Sequence, residues 1–141
     1  MTASFAEFLE HGLGPRFAAA HLGVEAVHCG DGKARMRLRV RPELMQNAGV
    51  LQGGITATLI DITMAWAVLS VVYPRHAPTV DLNVSYLRPI VEETIECEAI
   101  VVRAGRSVAH VRAEVMTESG ALAATGSANF LVTDPLSTRV D

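Results

Sequence analysis

The chain has 141 residues, half of them apolar and 19% charged, with a net charge of −3. That length accommodates one domain with a sizeable core, residues 1–141, and not two. The apolar content argues against disorder, and the slight acidity argues against a dedicated nucleic-acid binder.

Residues 3–11 carry Phe5, Phe8 and Leu9 at helical spacing and predict a short amphipathic helix, ended by Gly12, Gly14 and Pro15. Residues 16–22 predict another turn of helix, so 1–20 reads as an N-terminal helical segment. The first residues lack a basic-then-apolar order and do not read as a signal peptide. From 33 to 41 the period changes to two. Ala34, Met36, Leu38 and Val40 alternate with Arg35, Arg37, Arg39 and Arg41, the pattern of a half-buried strand. The turn signal Gly30-Asp31-Gly32 pairs this strand with residues 23–29 as a hairpin, and Pro42 ends it. The row of arginines reads chiefly as a solvated sheet face.

An irregular loop follows, then a long apolar helix from about Gly54 to Val72, stopped by Pro74. Residues 54–73 are long enough to span a bilayer, but Thr56, Thr58, Asp61, Thr63 and Ser70 interrupt the run and no basic cluster precedes it. It reads as a helix wrapped by protein, with no membrane partner. Strand-like runs at 78–89, 94–105, 107–118 and 121–132 are joined by short links, which favour antiparallel neighbours and so predict a four-stranded meander. Residues 134–141 read as a frayed tail. The sum is an α+β domain, an antiparallel β-sheet wrapped around one long central helix.

The chemistry gathers at the helix start. Gly53 and Gly54 stand where a helix presents unpaired N–H groups, a place suited to a developing oxyanion or, more simply, to a tight turn entering a buried helix. Asp61 is the one charge in the apolar run, and an unpaired buried carboxylate is costly. Eight residues along a helix is about 12 Å, so Asp61 cannot act on a carbonyl held at its own Gly53. Two explanations remain. Asp61 is hydrogen-bonded inside the core, or it serves the glycines of a second, antiparallel copy across a two-fold axis.

The stretch "QNAGVLQGGITATLID", with "APTVDLNVSYLRP" and "RAGRSVAHVRAEV" after it, resembles the hotdog-fold acyl-CoA thioesterases of the phenylacetic acid degradation (PaaI-like) type over roughly residues 20–133. The resemblance implies the hotdog fold, dimers that often pair into tetramers, and metal-independent hydrolysis of an acyl-CoA to free acid and CoA. The acyl group would be a small aromatic or a medium or long chain. It implies that Gly53 N–H polarises the thioester carbonyl and that Gln46 supplies the polar side chain beside it, with Asn47 as the other candidate. It implies that Asp61 of the partner subunit is nucleophile or general base, and that Thr79 helps place water. Gln52 stands where the family has His. Gly54 and Gln52 then fall among the substrate-binding positions, and Arg88, Arg103 and Arg106 suit CoA phosphates. CoA enters only as part of the substrate, with no cofactor.

Other signals are weaker. The five histidines show no metal-ligand spacing, and no serine sits in a nucleophile elbow. Cys29 and Cys97 read as two reduced thiols in a cytoplasmic protein. Gln52 in place of His keeps open a protein that binds acyl-CoA or acid without turnover. A hotdog dehydratase would need a His near the helix, and residues 45–65 contain none.

Overall fold

The structure, a computed structural model, describes residues 3–135. Helix α1 (Phe5–Gly12) starts at a reciprocal cap: Glu7 N–H donates to the Ser4 side chain, and Ser4 N–H donates to the Glu7 carboxylate. Its Phe5 and Phe8 pack on Trp66 and Tyr73, with ring centroids 4.8 to 6.3 Å apart. Helix α2 (Ala18–Leu22) completes the N-terminal segment.

Strands β1 (Glu25–Gly30) and β2 (Lys33–Arg39) form the expected hairpin. Asp31 and Gly32 both take positive φ, the backbone of a two-residue turn that matches the strand twist. The alternation in β2 holds residue by residue: Ala34, Met36 and Leu38 are buried, and the arginines between them face water. Arg35, Arg37 and Arg39 pair with Glu98, Glu96 and Glu118. The row is therefore an exposed ladder of ion pairs, each of small individual worth.

A 3₁₀ turn (Pro42–Leu44) and an irregular stretch lead into α3 (Gly53–Val72), one residue earlier than expected. Four strands follow: β3 (Thr79–Tyr86), β4 (Thr94–Ala104), β5 (Val108–Met116) and β6 (Leu122–Leu131). All six strands form one antiparallel sheet in the order β1-β2-β4-β5-β6-β3, and α3 lies across it: this is the hotdog arrangement. The expected four-stranded meander is wrong in one respect. Only β4-β5-β6 runs as a meander, while β3 pairs with β6 at the far edge. A short link fixes reach, not adjacency. Residues 87–93 can extend about 23 Å, and three strand spacings are about 14 Å. The link crosses the end of the curled sheet, buries Ile90, and accepts the Leu51 N–H at the Ile90 carbonyl (2.8 Å). It therefore passes directly before the start of α3.

The helix fits because the sheet beneath it is lined with small residues. Ala99, Ala109, Ala113, Ala123, Ala124 and Ala128 are all buried. At Gly126 a Cβ would stand 2.5 Å from Cγ2 of Ile60, so β6 and α3 meet there only through glycine. The expectation that the sheet covers the helix on every side is also only half met. Leu59, Ile60, Thr63, Met64, Ala67 and Val68 are buried. Gly54, Thr58, Asp61, Ile62, Ala65 and Leu69 form a stripe at helical spacing that stays partly open. Beside it runs β3, an edge strand with Val80 and Leu82 exposed. The expected frayed tail, 134–141, lies outside the described residues apart from Asp134 and Pro135.

Candidate active site

The start of α3 is uncapped. Gln52 occupies the N-cap position without any side-chain capping bond, and its carbonyl accepts Ile55 N–H (2.9 Å) and Thr56 N–H (3.4 Å). Gly53 and Gly54 N–H find no acceptor among the described residues. Two free donors at the positive end of a 20-residue helix make a place where negative charge is stabilised. Gly53 borders a cleft of about 340 Å³ together with Gln46, Leu51, Tyr86, Arg88 and Ile90.

Gln46 is held in this cleft by its own loop. Its side-chain oxygen accepts Ala48 N–H (2.7 Å), and its backbone N–H donates to Val50 O (2.8 Å). The NH₂ end of the side chain makes no hydrogen bond among the described residues. Asn47, one residue on, is exposed and does not border the cleft. The side chain of Gln52 is exposed too.

Asp61 sits on the open stripe of α3, half-buried, and its Oδ1 accepts a hydrogen bond from Thr79 Oγ1 (2.8 Å). Thr79 reaches it from the first position of β3. The helix is continuous from Gly53 through Asp61, so the acid lies about 12 Å along the axis from the glycines of its own chain.

Sequence reasoning missed Tyr86. Its hydroxyl donates to the Gly53 carbonyl (2.6 Å), and its ring forms one wall of the cleft. The residue lies inside the quoted stretch "APTVDLNVSYLRP", but nothing in its spacing places it against the helix start. That placement follows from β3 pairing with β6, Tyr86 opposite Ala124.

The three arginines are not brought together within one chain. Arg88 borders the cleft at the helix start. Arg103 and Arg106 border a separate cleft of about 330 Å³ at the β4–β5 turn, with Ser107 and His110. Arg75, just past the end of α3, donates to the Arg106 carbonyl, which ties that turn to the other end of the helix. A larger concavity, about 670 Å³, lies on the outer side of β2, β4 and β5 among Arg35, Glu98, Arg112 and Glu114, and contains neither the helix start nor Asp61.

The thiols are poor nucleophiles. Burial pushes Cys29 up to about 11 and Cys97 up to about 12, so neither forms appreciable thiolate near neutrality. Both are free, and Cys29 Sγ donates to the Trp66 carbonyl. Among the described residues no group of three or more His, Cys, Asp or Glu side chains gathers as a metal site. What the arrangement offers is a fixed carboxylate, two unpaired N–H groups and an amide side chain: the parts for attack on a carbonyl.

The profile of the thioesterase superfamily matches residues 48–124. Human acyl-coenzyme A thioesterase 13 is 30% identical over 129 residues, which cover 89% of this chain and 92% of that protein. Among solved structures, a conserved protein of Pseudomonas aeruginosa superposes with a TM-score of 0.81 at 31% identity, covering 87% of this chain and 97% of the other. A mutant form of the phenylacetic acid degradation protein PaaI of Thermus thermophilus superposes with a TM-score of 0.75 at 27% identity, covering 80% and 96%.

Proposed function

The chain belongs to the thioesterase superfamily, and from that premise we propose that it is an acyl-CoA thioesterase whose working site is completed only in a homodimer. The observation that carries this reading is the placement of Asp61. It is oriented by Thr79, it lies on a stripe of α3 that its own sheet leaves open, and it is about 12 Å along the helix from the unpaired donors at the start of that helix. A second copy laid antiparallel on that stripe brings Asp61 of one helix opposite Gly53 of the other, giving two equivalent sites. The exposed edge of β3 supports such pairing, since its outer backbone groups are free to extend the sheet. Pairing of dimers into a tetramer is part of the same reading.

In this site the thioester carbonyl oxygen takes hydrogen bonds from Gly53 and Gly54 N–H, and the Gln46 NH₂ end faces the reacting centre. As general base, Asp61 of the second copy takes a proton from water as the water oxygen bonds to the carbonyl carbon. The tetrahedral oxyanion then re-forms the carbonyl, the C–S bond breaks, and the CoA thiolate leaves and is protonated. As nucleophile, Asp61 instead displaces the thiolate to give an acyl-aspartyl anhydride, which water cleaves. Thr79 holds the carboxylate in either route. A positioned base contributes about 10²–10⁴-fold and each oxyanion donor about 10²–10³-fold. Neither route needs a metal or a bound cofactor. Arg88 from one copy, and Arg103 and Arg106 from the other, are the cations for the CoA phosphates. The acyl group is a small aromatic or a medium to long chain, and a cytoplasmic location accords with the two free thiols.

The test is a panel of aromatic and fatty acyl-CoAs with free thiol as the readout. Activity left unchanged by both Asp61→Asn and Asp61→Ala would sink the mechanism. Gln52 in place of His favours a second reading, binding without turnover. Its mark is tight binding of acyl-CoA with no thiol release by the wild type, and turnover gained by Gln52→His.

A further inference from the structure

We propose that Tyr86 is the positioning residue of the oxyanion site, locking the Gly53–Gly54 peptide so that the direction of its N–H is fixed; this rests on the thioesterase reading. The problem it solves is physical. An oxyanion site works because its donors are fixed before the charge develops. Glycine has the freest backbone of any residue, and the first turn of a helix is where hydrogen bonding is incomplete. Two consecutive glycines at an uncapped helix start, held only by the carbonyl bonds of the first turn, are therefore weakly fixed donors unless something else holds them.

The structure holds them plane by plane. Gly53 N–H belongs to the Gln52–Gly53 peptide, whose carbonyl is gripped by Ile55 and Thr56 N–H. Gly54 N–H belongs to the next peptide, and a peptide is planar with its C=O and N–H pointing in opposite directions. The Gly53 carbonyl accepts the Tyr86 hydroxyl at 2.6 Å, so the same bond that holds the oxygen on one side aims the Gly54 N–H on the other. The ring presses from the same side. A Cβ at residue 53 would stand 3.3 Å from Cζ and Oη of Tyr86, whereas a Cβ at residue 54 would meet nothing within 4 Å. The two glycines thus differ in kind: Gly53 is glycine because Tyr86 backs it, and Gly54 faces open space.

Tyr86 is itself anchored in the sheet, in register with Ala124 of β6. Strand β3 therefore touches both functional groups of the chain, Asp61 through Thr79 at its first residue and the glycine pair through Tyr86 at its last. One rigid element sets the acid and the oxyanion donors alike.

Tyr86→Phe removes the hydroxyl and keeps the ring. With an acyl-CoA that the wild type hydrolyses, kcat should fall about five- to tenfold, as expected for one hydrogen bond. KM should stay within about twofold, because binding and transition-state stabilisation are read separately. The readout independent of turnover is ¹⁵N relaxation. The Gly54 amide order parameter should drop from the rigid range near ~0.85 in the wild type to clearly below it in Tyr86→Phe. Unchanged kcat in an active enzyme overturns the inference. If the wild type releases no thiol from any acyl-CoA, the thioesterase reading fails separately, and the relaxation data still decide the clamp: an equally rigid Gly54 amide in both proteins refutes it.

Discussion

Replacing Gly53 by proline deletes the proposed oxyanion donor with little disturbance of the fold. Gly53 is the first residue of α3, where proline is well tolerated because the N–H it lacks has no helical partner. The preceding Gln52 has φ −58° and ψ 128°, within the extended region that a residue before proline requires. The one tight contact is with Tyr86, 3.3 Å from the new Cβ, and that half-exposed ring can shift by a few tenths of an ångström. Stability should therefore change by no more than about 1 kcal/mol. The loss of one donor to the oxyanion should lower kcat by about 10²–10³-fold, or roughly 3–4 kcal/mol of transition-state stabilisation. The assay pairs thermal unfolding with thiol release from an acyl-CoA. A folded Gly53→Pro enzyme with kcat within about threefold of wild type would refute the assignment of Gly53 N–H, since no oxyanion donor is that dispensable.

Two further outcomes follow from the fold. Gly126→Ala drives a Cβ to 2.5 Å from Ile60 in the tightest part of the helix–sheet contact and should cost about 1–3 kcal/mol by denaturant unfolding. The raised thiols make stability depend on alkaline pH. Their folded-state values lie above the ordinary 9.0, so the unfolded chain ionises first and stability falls as pH rises from 9 toward 11 and 12. Cys97→Ala should flatten part of that slope, and Cys29 should react only slowly with thiol reagents at neutral pH.

What the sequence revealed, and what it hid, divides along physical lines. The β1–β2 hairpin and α3 were legible because one local period governs each: alternation in 33–39 and an apolar run of helical length in 53–72. The place of β3 was not. Val80, Leu82, Val84 and Tyr86 alternate with polar residues, so the strand was legible, but that alternation does not say which strand it pairs with, and almost all of its residues are exposed. Strand order is moreover a tertiary property that a link of residues 87–93 leaves open. Tyr86 was lost for the same reason, since its value comes from where β3 lies. The separation of Arg88 from Arg103 and Arg106 within one chain was hidden too. All three sit near strand ends, but antiparallel strands put their ends at opposite edges of the sheet. The separation of Asp61 from Gly53, in contrast, was readable from helical rise alone, and it is the fact on which the two-copy reading turns.

Subunit complementation tests that reading most directly. Asp61→Asn and Gly53→Pro are each expected to be inactive as homodimers. Unfolded together and refolded in equal amounts, half of the dimers are mixed. Each mixed dimer carries one site with both an intact acid and an intact donor, and one site with neither. The account therefore gives about a quarter of the wild-type rate per dimer. A mixture no more active than its two components would show that Asp61 and Gly53 serve a site within one chain, and would contradict the account.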